Sequence, residues 1–339
     1  MRVLMGLTLA AVVGAAAGCG RKAEPAKPVA APEPARAAVT VAVIPKGTTH
    51  EFWKSVHAGA VKASRELGVT VIWKGPLKED DRDAQISVVE DFISRKVSGI
   101  VLAPLDDAAL RVPVANAVRS GIPVVIFDSD LQSQDYVSFV ATDNFKGGQL
   151  AGQELARRLG GKGKVVMLRY QEGSASTMNR EKGFLDAIAV HPDIQVVSAN
   201  QYGGATTETA YKASENLLAP LKTAEGGLGV DGIFCPNEST TFGMLRALQD
   251  GGLAGKVSFV GFDSSAKLVE ALRRGEIHGL VLQNPLKMGY LGVKTLVAHL
   301  GGEAVEKRLD TGAVLVTKEN MDQTDVAELL QPDLAQWLE

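Results

Sequence analysis

From Val39 onward, short apolar runs rich in β-branched residues alternate with stretches of helical spacing. Strands that read as nearly continuous apolar runs and are separated by helices are typical of parallel sheets covered on both faces. The pattern predicts strands at Val39–Ile44, Val69–Trp73, Gly99–Ala103, Val124–Phe127, Val137–Val140, Lys164–Leu168, Gln195–Ser198, Gly232–Cys235, Ser258–Gly261 and Gly279–Leu282. The clearest predicted helices are Phe52–Leu67, Ala84–Lys96, Phe145–Leu159, Arg180–Ala189, Thr207–Leu221 and Thr240–Gln249.

The number of predicted strands indicates two sheets, because a twisted open sheet rarely exceeds about ten strands. The expected fold class is therefore α/β, with two doubly wound parallel-sheet lobes. The chain of 339 residues is long enough to bury a core in each lobe. We expect the break between the lobes near Thr142-Asp143, after the strand that ends at Val140.

The first 38 residues have a different composition from the rest of the chain. Arg2 precedes an apolar stretch that ends in Ala16-Ala17-Gly18-Cys19, which resembles the lipobox of bacterial lipoproteins. We expect residues 1–18 to be a signal peptide and Cys19 to carry a lipid anchor; the alternative is an ordinary secretory signal with an incidental cysteine. Residues 19–38 contain four prolines and no aromatic residue, which is typical of a semi-rigid spacer.

Composition and motifs exclude several classes of function. The net charge of -3 and the lack of a basic run with interleaved aromatics argue against a nucleic-acid partner. The chain has no Walker A motif, no G-x-G-x-x-G after the first strand and no G-x-S-x-G elbow. The histidines and cysteines show no metal spacing, and Cys235 reads as a small buried thiol. We therefore expect no enzymatic activity, no metal and no cofactor.

Polar residues follow the predicted strands in both halves of the chain. In open α/β sheets, ligands bind outside the carboxyl ends of the strands, so these residues are candidates for a binding site. Each could instead cap the helix that it precedes, and for Asp106, Asp107 and Glu238 capping is at least as good an explanation. The segments are Thr48–Trp53, Pro104–Asp107, Asp128–Asp130, Pro236–Glu238, Phe262-Asp263 and Gln283-Asn284.

Two adjacent aromatic residues, Phe52 and Trp53, open the first helix. Neighbouring positions on a helix cannot both face one core, so at least one of these rings is expected to line a cleft. Aromatic rings beside carboxylates and amides suit a sugar, whose C–H faces pack on rings while its hydroxyls donate and accept hydrogen bonds. His50, just before these rings, is expected to be polar lining of the same pocket.

Seven segments in register resemble the periplasmic sugar-binding proteins of the ribose type, and the match covers the chain from Val39 to its end. The resemblance implies a type I periplasmic binding protein, with two lobes joined by a three-strand hinge, that binds a sugar and performs no chemistry. The segments are VAVIPKGTTHEFWKSVHAGA (41–60), GIPVVIFDSD (121–130), ATDNFKGGQLAG (141–152), NREKGF (179–184), FCPNESTTFGMLRAL (234–248), VGFDSS (260–265) and LVLQNP (280–285).

The resemblance also implies a role for individual residues. Phe52 and Trp53 resemble the rings that stack on the sugar, and Asp128 resembles the carboxylate that binds adjacent hydroxyls. Arg180 resembles the arginine that reaches the ring oxygen of the sugar. Asn237, Asp263 and Gln283 resemble the polar ligands of the family's second lobe.

The chain departs from the ribose-binding pattern at three positions. His50 replaces an asparagine, Ser129 replaces the arginine that usually follows the aspartate, and Ala103 replaces another asparagine. We include His50 and Ser129 among the expected ligand-binding residues. The departures predict a sugar or polyol shaped differently from ribose.

The family pattern implies hinges near Thr142-Asp143, Gln283-Asn284 and Asp310-Thr311, hence lobes of residues 39–142 plus 284–310 and 143–283 plus 311–339. Ligand would shift the population toward a closed form that docks on an ABC permease. We expect a monomer in the cell envelope, held at the membrane only by its lipid. Two alternatives stay open: a sugar sensor for a chemoreceptor or histidine kinase, and a lipoprotein enzyme acting on carbohydrate.

Overall fold

A computed structural model describes Gly14 and residues 39–338. The predicted spacer and the predicted lipidation site at Cys19 lie outside the described residues, as does the predicted signal peptide apart from Gly14. Within residues 39–338, apolar strands alternate with helices as the sequence pattern predicts, and the strands form two sheets.

The first sheet has the strand order β2-β1-β3-β4-β5-β11, and all of its neighbouring strands are parallel. Successive residues of β1 and β3 face opposite sides, so Ala42 and Ile100 enter one apolar cluster while Val41 and Val101 enter another. Both faces are thus buried, which explains why these strands read as continuous apolar runs. The strands are β1 Thr40–Ile44, β2 Thr70–Trp73, β3 Gly99–Leu102, β4 Val124–Phe127, β5 Ser138–Ala141 and β11 Arg308–Asp310.

The second sheet has the order β7-β6-β8-β9-β10-β12. Its edge strand β12 is antiparallel to β10, whereas all of its other neighbouring strands are parallel, as the predicted fold class implies. The cause is the chain path: β12 enters the sheet at the end where β10 leaves it, with Ala313 opposite Gln283. The strands are β6 Lys162–Arg169, β7 Asp193–Tyr202, β8 Gly232–Phe234, β9 Ser258–Phe262, β10 Gly279–Gln283 and β12 Ala313–Val316.

Ten α-helices cover the two sheets in the described part of the chain. The helix predicted to start at Arg180 begins earlier, at Ala175. The strand predicted at Gln195–Ser198 extends over Asp193–Tyr202, and the prediction was too short because most residues of this edge strand are exposed and break the apolar pattern. The helices are α1 Glu51–Leu67, α2 Arg82–Ser94, α3 Arg111–Arg119, α4 Asn144–Arg158, α5 Ala175–Ala189, α6 Thr207–Leu218, α7 Glu238–Asp250, α8 Ala266–Arg274, α9 Pro285–Leu300 and α10 Thr324–Leu330.

The two most closely packed pairs of helices are α1 with α9 in the first lobe and α4 with α5 in the second. Glycine makes the close approach possible: a Cβ atom at Gly59 of α1 would lie 1.9 Å from the Leu286 carbonyl oxygen. In the second lobe, a Cβ atom at Gly148 of α4 would lie 2.0 Å from the Arg180 carbonyl oxygen. This packing holds α1 against α9 and α4 against α5.

The chain passes between the sheets after β5, after β10 and between β11 and β12. Two of these passages are hydrogen-bonded to each other: the Asp310 carboxylate accepts from the Asp143 amide at 3.1 Å and from the Gly312 amide at 2.8 Å. The Thr142 hydroxyl donates to the Gly312 carbonyl at 3.3 Å. The end of the chain, which the sequence assigned to the second lobe, contacts α1 of the first, where Arg65 donates to the Gln336 carbonyl at 2.9 Å.

Candidate functional site

Polar groups of both lobes converge in a cleft between the carboxyl ends of the two sheets. The lining residues are Lys46, His50, Phe52, Trp53, Glu79, Asp128, Tyr170, Ser176, Thr177, Arg180, Asn237, Glu238, Asp263 and Gln283.

A wider cavity lies beside this cleft and shares Phe52, Asp263 and Gln283 with it. It is bordered by the segment after α10, from Leu330 to Leu334. We assign the site to the smaller cleft, because buried charges and rings of both lobes meet there.

The two adjacent aromatic residues at the start of α1 are both buried and both line the cleft. Phe52 and Trp53 meet edge to face with ring centroids 5.0 Å apart, and Trp53 packs in the same way on Phe127 at 6.1 Å. The Trp53 indole nitrogen donates a 2.7 Å hydrogen bond to Glu79. The indole is therefore held by packing on one side and by a carboxylate at its edge.

His50 forms an ion pair with Glu79, with 2.7 Å between Nδ1 and Oε1. Burial alone would lower the pKa of His50, but the charge of Glu79 and the hydrogen bond to it raise that pKa to about 9. Burial would likewise raise the pKa of Glu79, yet the charge and hydrogen bond of His50 and the charge of Lys46 lower it to about 2. Both side chains are therefore charged at neutral pH.

Asp128 directly follows β4 and forms an ion pair with Lys46, which follows β1, at 2.9 Å. The cation beside Asp128 is thus Lys46, after the first strand, whereas the family pattern has an arginine at the position of Ser129. The backbone at Asp128 is left-handed, with φ of 60°, a conformation that an aspartate tolerates better than most residues. Lys46 also donates to the Ser176 hydroxyl of the second lobe at 2.9 Å.

Arg180 projects from α5 and is buried. Its guanidinium contacts residues of several other segments. Its Nε donates to the Asn144 side-chain oxygen at 2.8 Å and its Nη1 donates to the Pro236 carbonyl at 3.0 Å. The guanidinium carbon lies 4.0 Å from the centroid of the Phe262 ring, and Asp263 is 3.8 Å away. Burial lowers the pKa of Arg180, while the charge of Asp263 acts in the opposite direction.

The second lobe contributes Asn237 and Asp263, which follow β8 and β9, and Gln283, the last residue of β10. The Asn237 side-chain oxygen accepts from the Thr240 amide at 3.2 Å and so caps α7, as the capping alternative expected. Asp263 accepts from the Gln283 amide nitrogen at 2.7 Å. The other end of that amide, Gln283 Oε1, is buried and has no hydrogen-bond partner within the described residues. A buried acceptor without a partner costs free energy unless a ligand donates to it.

Glu238 and Asp106 do not cap the helices that follow them, because Asn237 caps α7 and the N-cap of α3, Leu110, makes no side-chain capping bond. The Glu238 carboxylate accepts from the amides of Glu51 and Phe52 at 3.3 and 3.2 Å, so it caps α1 of the opposite lobe. Burial raises the pKa of Glu238 to about 7. Asp106 accepts from the amides of Ala108 and Ala109 and does not line the cleft.

Ser129 is fully buried but is not among the lining residues, unlike the other expected ligand-binding residues. Its hydroxyl accepts from the Ser176 amide at 3.0 Å. The physical reason is the left-handed turn at Asp128, which directs the aspartate into the cleft and the next side chain toward α5.

Sequence reasoning missed several lining residues, among them Lys46, Glu79 and Tyr170. Lys46 and Tyr170 each follow a strand, at the position where polar residues were sought, and the same rule could have found them. Glu79 lies within the charged run Lys78–Asp81, which by itself is typical of a solvated turn. Only the packing of both lobes buries it.

The arrangement can bind hydroxyl groups, since it combines rings with charged donors and acceptors. Within residues 39–338, no group of three His, Cys, Asp or Glu side chains could hold a metal ion. Cys235 is buried, and burial raises the pKa of its thiol well above the usual value, so the thiol stays protonated. In the same part of the chain, none of the helices combines the length and the apolarity that crossing a membrane requires.

Comparison with known proteins gives concordant matches. Residues 41–304 match the family model described as a periplasmic binding protein domain. The ribose import binding protein of Haemophilus influenzae is 30% identical over 279 residues, which cover 82% of this chain and 91% of that protein.

Two crystal structures resemble this chain over most of its length. A carbohydrate transporter solute-binding protein of Agrobacterium radiobacter, in complex with D-arabinose, is 36% identical with a TM-score of 0.82, covering 87% of this chain and 99% of that one. An ABC transporter solute-binding protein of Agrobacterium vitis with bound D-fucose is also 36% identical, with a TM-score of 0.81, covering 86% of this chain and 100% of that one.

Proposed function

This chain belongs to the periplasmic sugar-binding proteins of the ribose type, and we propose that it captures one neutral monosaccharide or polyol in the cleft between its lobes. It is a binding protein of an ABC importer and not an enzyme, and its place is the periplasm. The ligand is released to the permease of that importer.

The observation that carries the proposal is the convergence of four side chains of both lobes on one cleft: Trp53, Asp128, Arg180 and Asp263. A sugar ring presents C–H faces that suit Trp53, and hydroxyls that suit the carboxylates and the guanidinium. The unpaired Gln283 Oε1 adds an acceptor that a ligand hydroxyl would satisfy. The similar crystal structures hold D-arabinose and D-fucose, which favours a single ring over an oligosaccharide.

The charges of the cleft favour a neutral ligand over a sugar acid or a sugar phosphate. Three cations line the cleft, and each lies beside its own carboxylate: Lys46 by Asp128, His50 by Glu79, and Arg180 by Asp263. An anionic ligand would have to displace one of these carboxylates from its partner. Hydroxyls can bind without breaking a pair, because a carboxylate offers several lone pairs.

The experiment is a thermal-shift panel of D-ribose, D-arabinose, D-fucose, D-allose and xylitol, with D-galacturonate as the charged control. A neutral ligand at 100 times its Kd should stabilise the protein by about 2.7 kcal/mol. The variants Asp128→Ala and Arg180→Ala should abolish the shift. Retention of full affinity by both would refute the assignment of the site, and a shift with D-galacturonate alone would refute the neutral ligand.

Capture proceeds by closure of the lobes about the three passages between the sheets. Contacts to both lobes exist only when the lobes are closed, so the ligand shifts the population toward the closed form. The protein acts as a monomer, and a radius of gyration measured in solution with and without sugar tests both statements.

A lipid anchor on Cys19 is part of the proposal and rests on the small residues Ala16-Ala17-Gly18 that precede it. Acyl chains would hold the domain at a membrane surface without a transmembrane helix. In cells, Cys19→Ala should move the protein from the membrane fraction to the soluble fraction. Unchanged fractionation would refute the anchor.

A further inference from the structure

One buried carboxylate, that of Glu79, receives hydrogen bonds from three lining residues of the cleft. Glu79 lies in the loop between β2 and α2 and is 6% exposed. Its Oε1 lies 2.7 Å from the Trp53 indole nitrogen and 2.7 Å from His50 Nδ1. Its Oε2 accepts from the Tyr170 hydroxyl, also at 2.7 Å.

The third donor belongs to the opposite lobe. Tyr170 follows β6 of the second sheet and is 1% exposed. The next residue, Gln171, donates its side-chain amide to the Glu79 carbonyl oxygen at 2.9 Å. Glu79 is thus bound twice by the second lobe and twice by first-lobe side chains that face the ligand.

The charges around Glu79 make these hydrogen bonds strong. His50 and Lys46 are the nearby cations, and they keep Glu79 ionised despite its burial. On the far side of His50 lie Glu238 and Asp263, whose charges also favour its protonated form. Hydrogen bonds to a buried ionised carboxylate are shorter and about twice as strong as bonds between neutral groups.

Opening of the hinge would affect these contacts unequally. The bonds from Trp53 and His50 lie within one lobe and persist, whereas the bond from Tyr170 spans the cleft and breaks. The Glu79 carboxylate therefore orients Trp53 and His50 in both states, and it accepts the Tyr170 hydrogen bond only when the lobes are closed.

We infer that Glu79 is a positioning residue that couples sugar binding to lobe closure, holding Trp53 and His50 in one lobe and the Tyr170 hydroxyl of the other. This inference rests on the proposed function, because it assumes that the cleft takes a sugar. Sugar that seats on Trp53 stabilises the orientation in which Glu79 receives Tyr170, and the Tyr170 bond in turn slows release of the sugar.

The test of closure is the dissociation rate of whichever of D-arabinose, D-fucose or D-ribose gives the largest thermal shift. Tyr170→Phe removes only the hydroxyl and should raise the dissociation rate about 10- to 100-fold with little change in the association rate. The matched control is Tyr202→Phe, which removes a hydroxyl of the same lobe that bonds the exposed Glu172. In a double-mutant cycle, Glu79→Gln and Tyr170→Phe together should cost no more than the worse single variant.

A second readout needs no sugar. In the ligand-free protein, NMR titration should find the pKa of the His50 imidazole raised above its usual value of 6.5, with the signal assigned by its loss in His50→Gln. Glu79→Gln should lower that pKa, whereas Tyr202→Phe should leave it unchanged. If no sugar binds, the proposed function fails while this titration still tests Glu79. An unchanged titration in Glu79→Gln, or equal dissociation rates for the two tyrosine variants, would overturn the inference.

Discussion

The Glu238 carboxylate of the second lobe accepts a 3.2 Å hydrogen bond from the Phe52 amide, at the amino terminus of a helix in the first lobe. Helix α1 has no side-chain cap of its own, since its N-cap residue His50 makes no capping hydrogen bond. The helix is therefore capped from across the cleft. Carboxylates are favoured at helix amino termini by the free amides and by the helix dipole.

Sugar affinity should depend on pH through Glu238. Burial raises the pKa of Glu238 from 4.5 to about 7. Burial in the closed form outweighs the cap bonds from the Phe52 and Glu51 amides, so closure favours the protonated form of Glu238. The sugar affinity should therefore be highest below pH 4.5 and should fall as the pH rises through 7. Calorimetric titration should show a smaller fall in affinity over this range for Glu238→Gln than for the wild type. Glu215→Gln, a surface variant, is the control, and identical pH profiles for all three proteins would contradict the prediction.

The ion pair of His50 with Glu79 predicts that the stability of the protein also depends on pH, between about pH 6.5 and 9. The pKa of His50 rises from 6.5 to about 9, since Glu79 outweighs the effect of burial. The stabilisation is fully present below pH 6.5 and is lost as the pH rises through 9, at most about 3.5 kcal/mol at about 1.4 kcal/mol per pKa unit. Melting temperatures of the wild type should therefore fall between pH 6.5 and 9. In His50→Gln the fall should be smaller, and an equal fall would show that His50 is not its source.

Packing between α4 and α5 should be sensitive to one methyl group. In Gly148→Ala the new Cβ atom would lie 2.0 Å from the Arg180 carbonyl oxygen, which is backbone and cannot move alone. We expect a loss of about 1–3 kcal/mol in the free energy of unfolding, measured by urea denaturation, together with weaker sugar binding, because Arg180 shifts with α5. Gly227→Ala is the control: its Cβ would meet nothing closer than 3.4 Å. Equal stabilities of the two variants would contradict the prediction.

The contact of the chain end with α1 should contribute to stability. Trp337 lies under two cations, with its ring centroid 5.6 Å from the Arg65 guanidinium carbon and 5.8 Å from Lys62 Nζ. Trp337→Ala should lower the free energy of unfolding by about 1 kcal/mol, since each exposed cation–π contact is worth about 0.5–1 kcal/mol. Arg65→Lys keeps a charge near the ring and should cost less. A melting curve that is unchanged by Trp337→Ala would show that the contact of the chain end with α1 does not stabilise the protein.

The sequence predicted the layers of the fold because a strand that is buried on both faces appears as a continuous apolar run. Val41 to Ile44 are all fully buried, and such a run admits few alternatives to a central parallel strand. The pattern failed at edges: the exposed residues of β7 disguise a strand that is longer than predicted. The short strands β11 and β12 were also missed, since three or four residues are too few to show a period.

For the site, the rule that ligands bind beyond the carboxyl ends of strands led to Asp128, Asn237 and Asp263, all of which line the cleft. Their role in binding stays a prediction, as do the lobe boundaries. The rule could not find Glu79, because it follows no strand directly and its neighbours Lys78 and Asp80 are exposed. Nor could it separate Ser129 from the lining residues, since that distinction depends on the backbone turn at Asp128.

The sequence by itself determined most of the segments that become strands and helices, and which end of a buried strand carries polar side chains, because burial and backbone preference act over a few residues. Only the tertiary structure decided which polar groups meet. Glu238 reaches the amide of Phe52, and Tyr170 reaches Glu79, across 186 and 91 positions of the chain. Contacts of that kind depend on how the two lobes close over each other, and no local pattern encodes the distance between groups that the fold brings together.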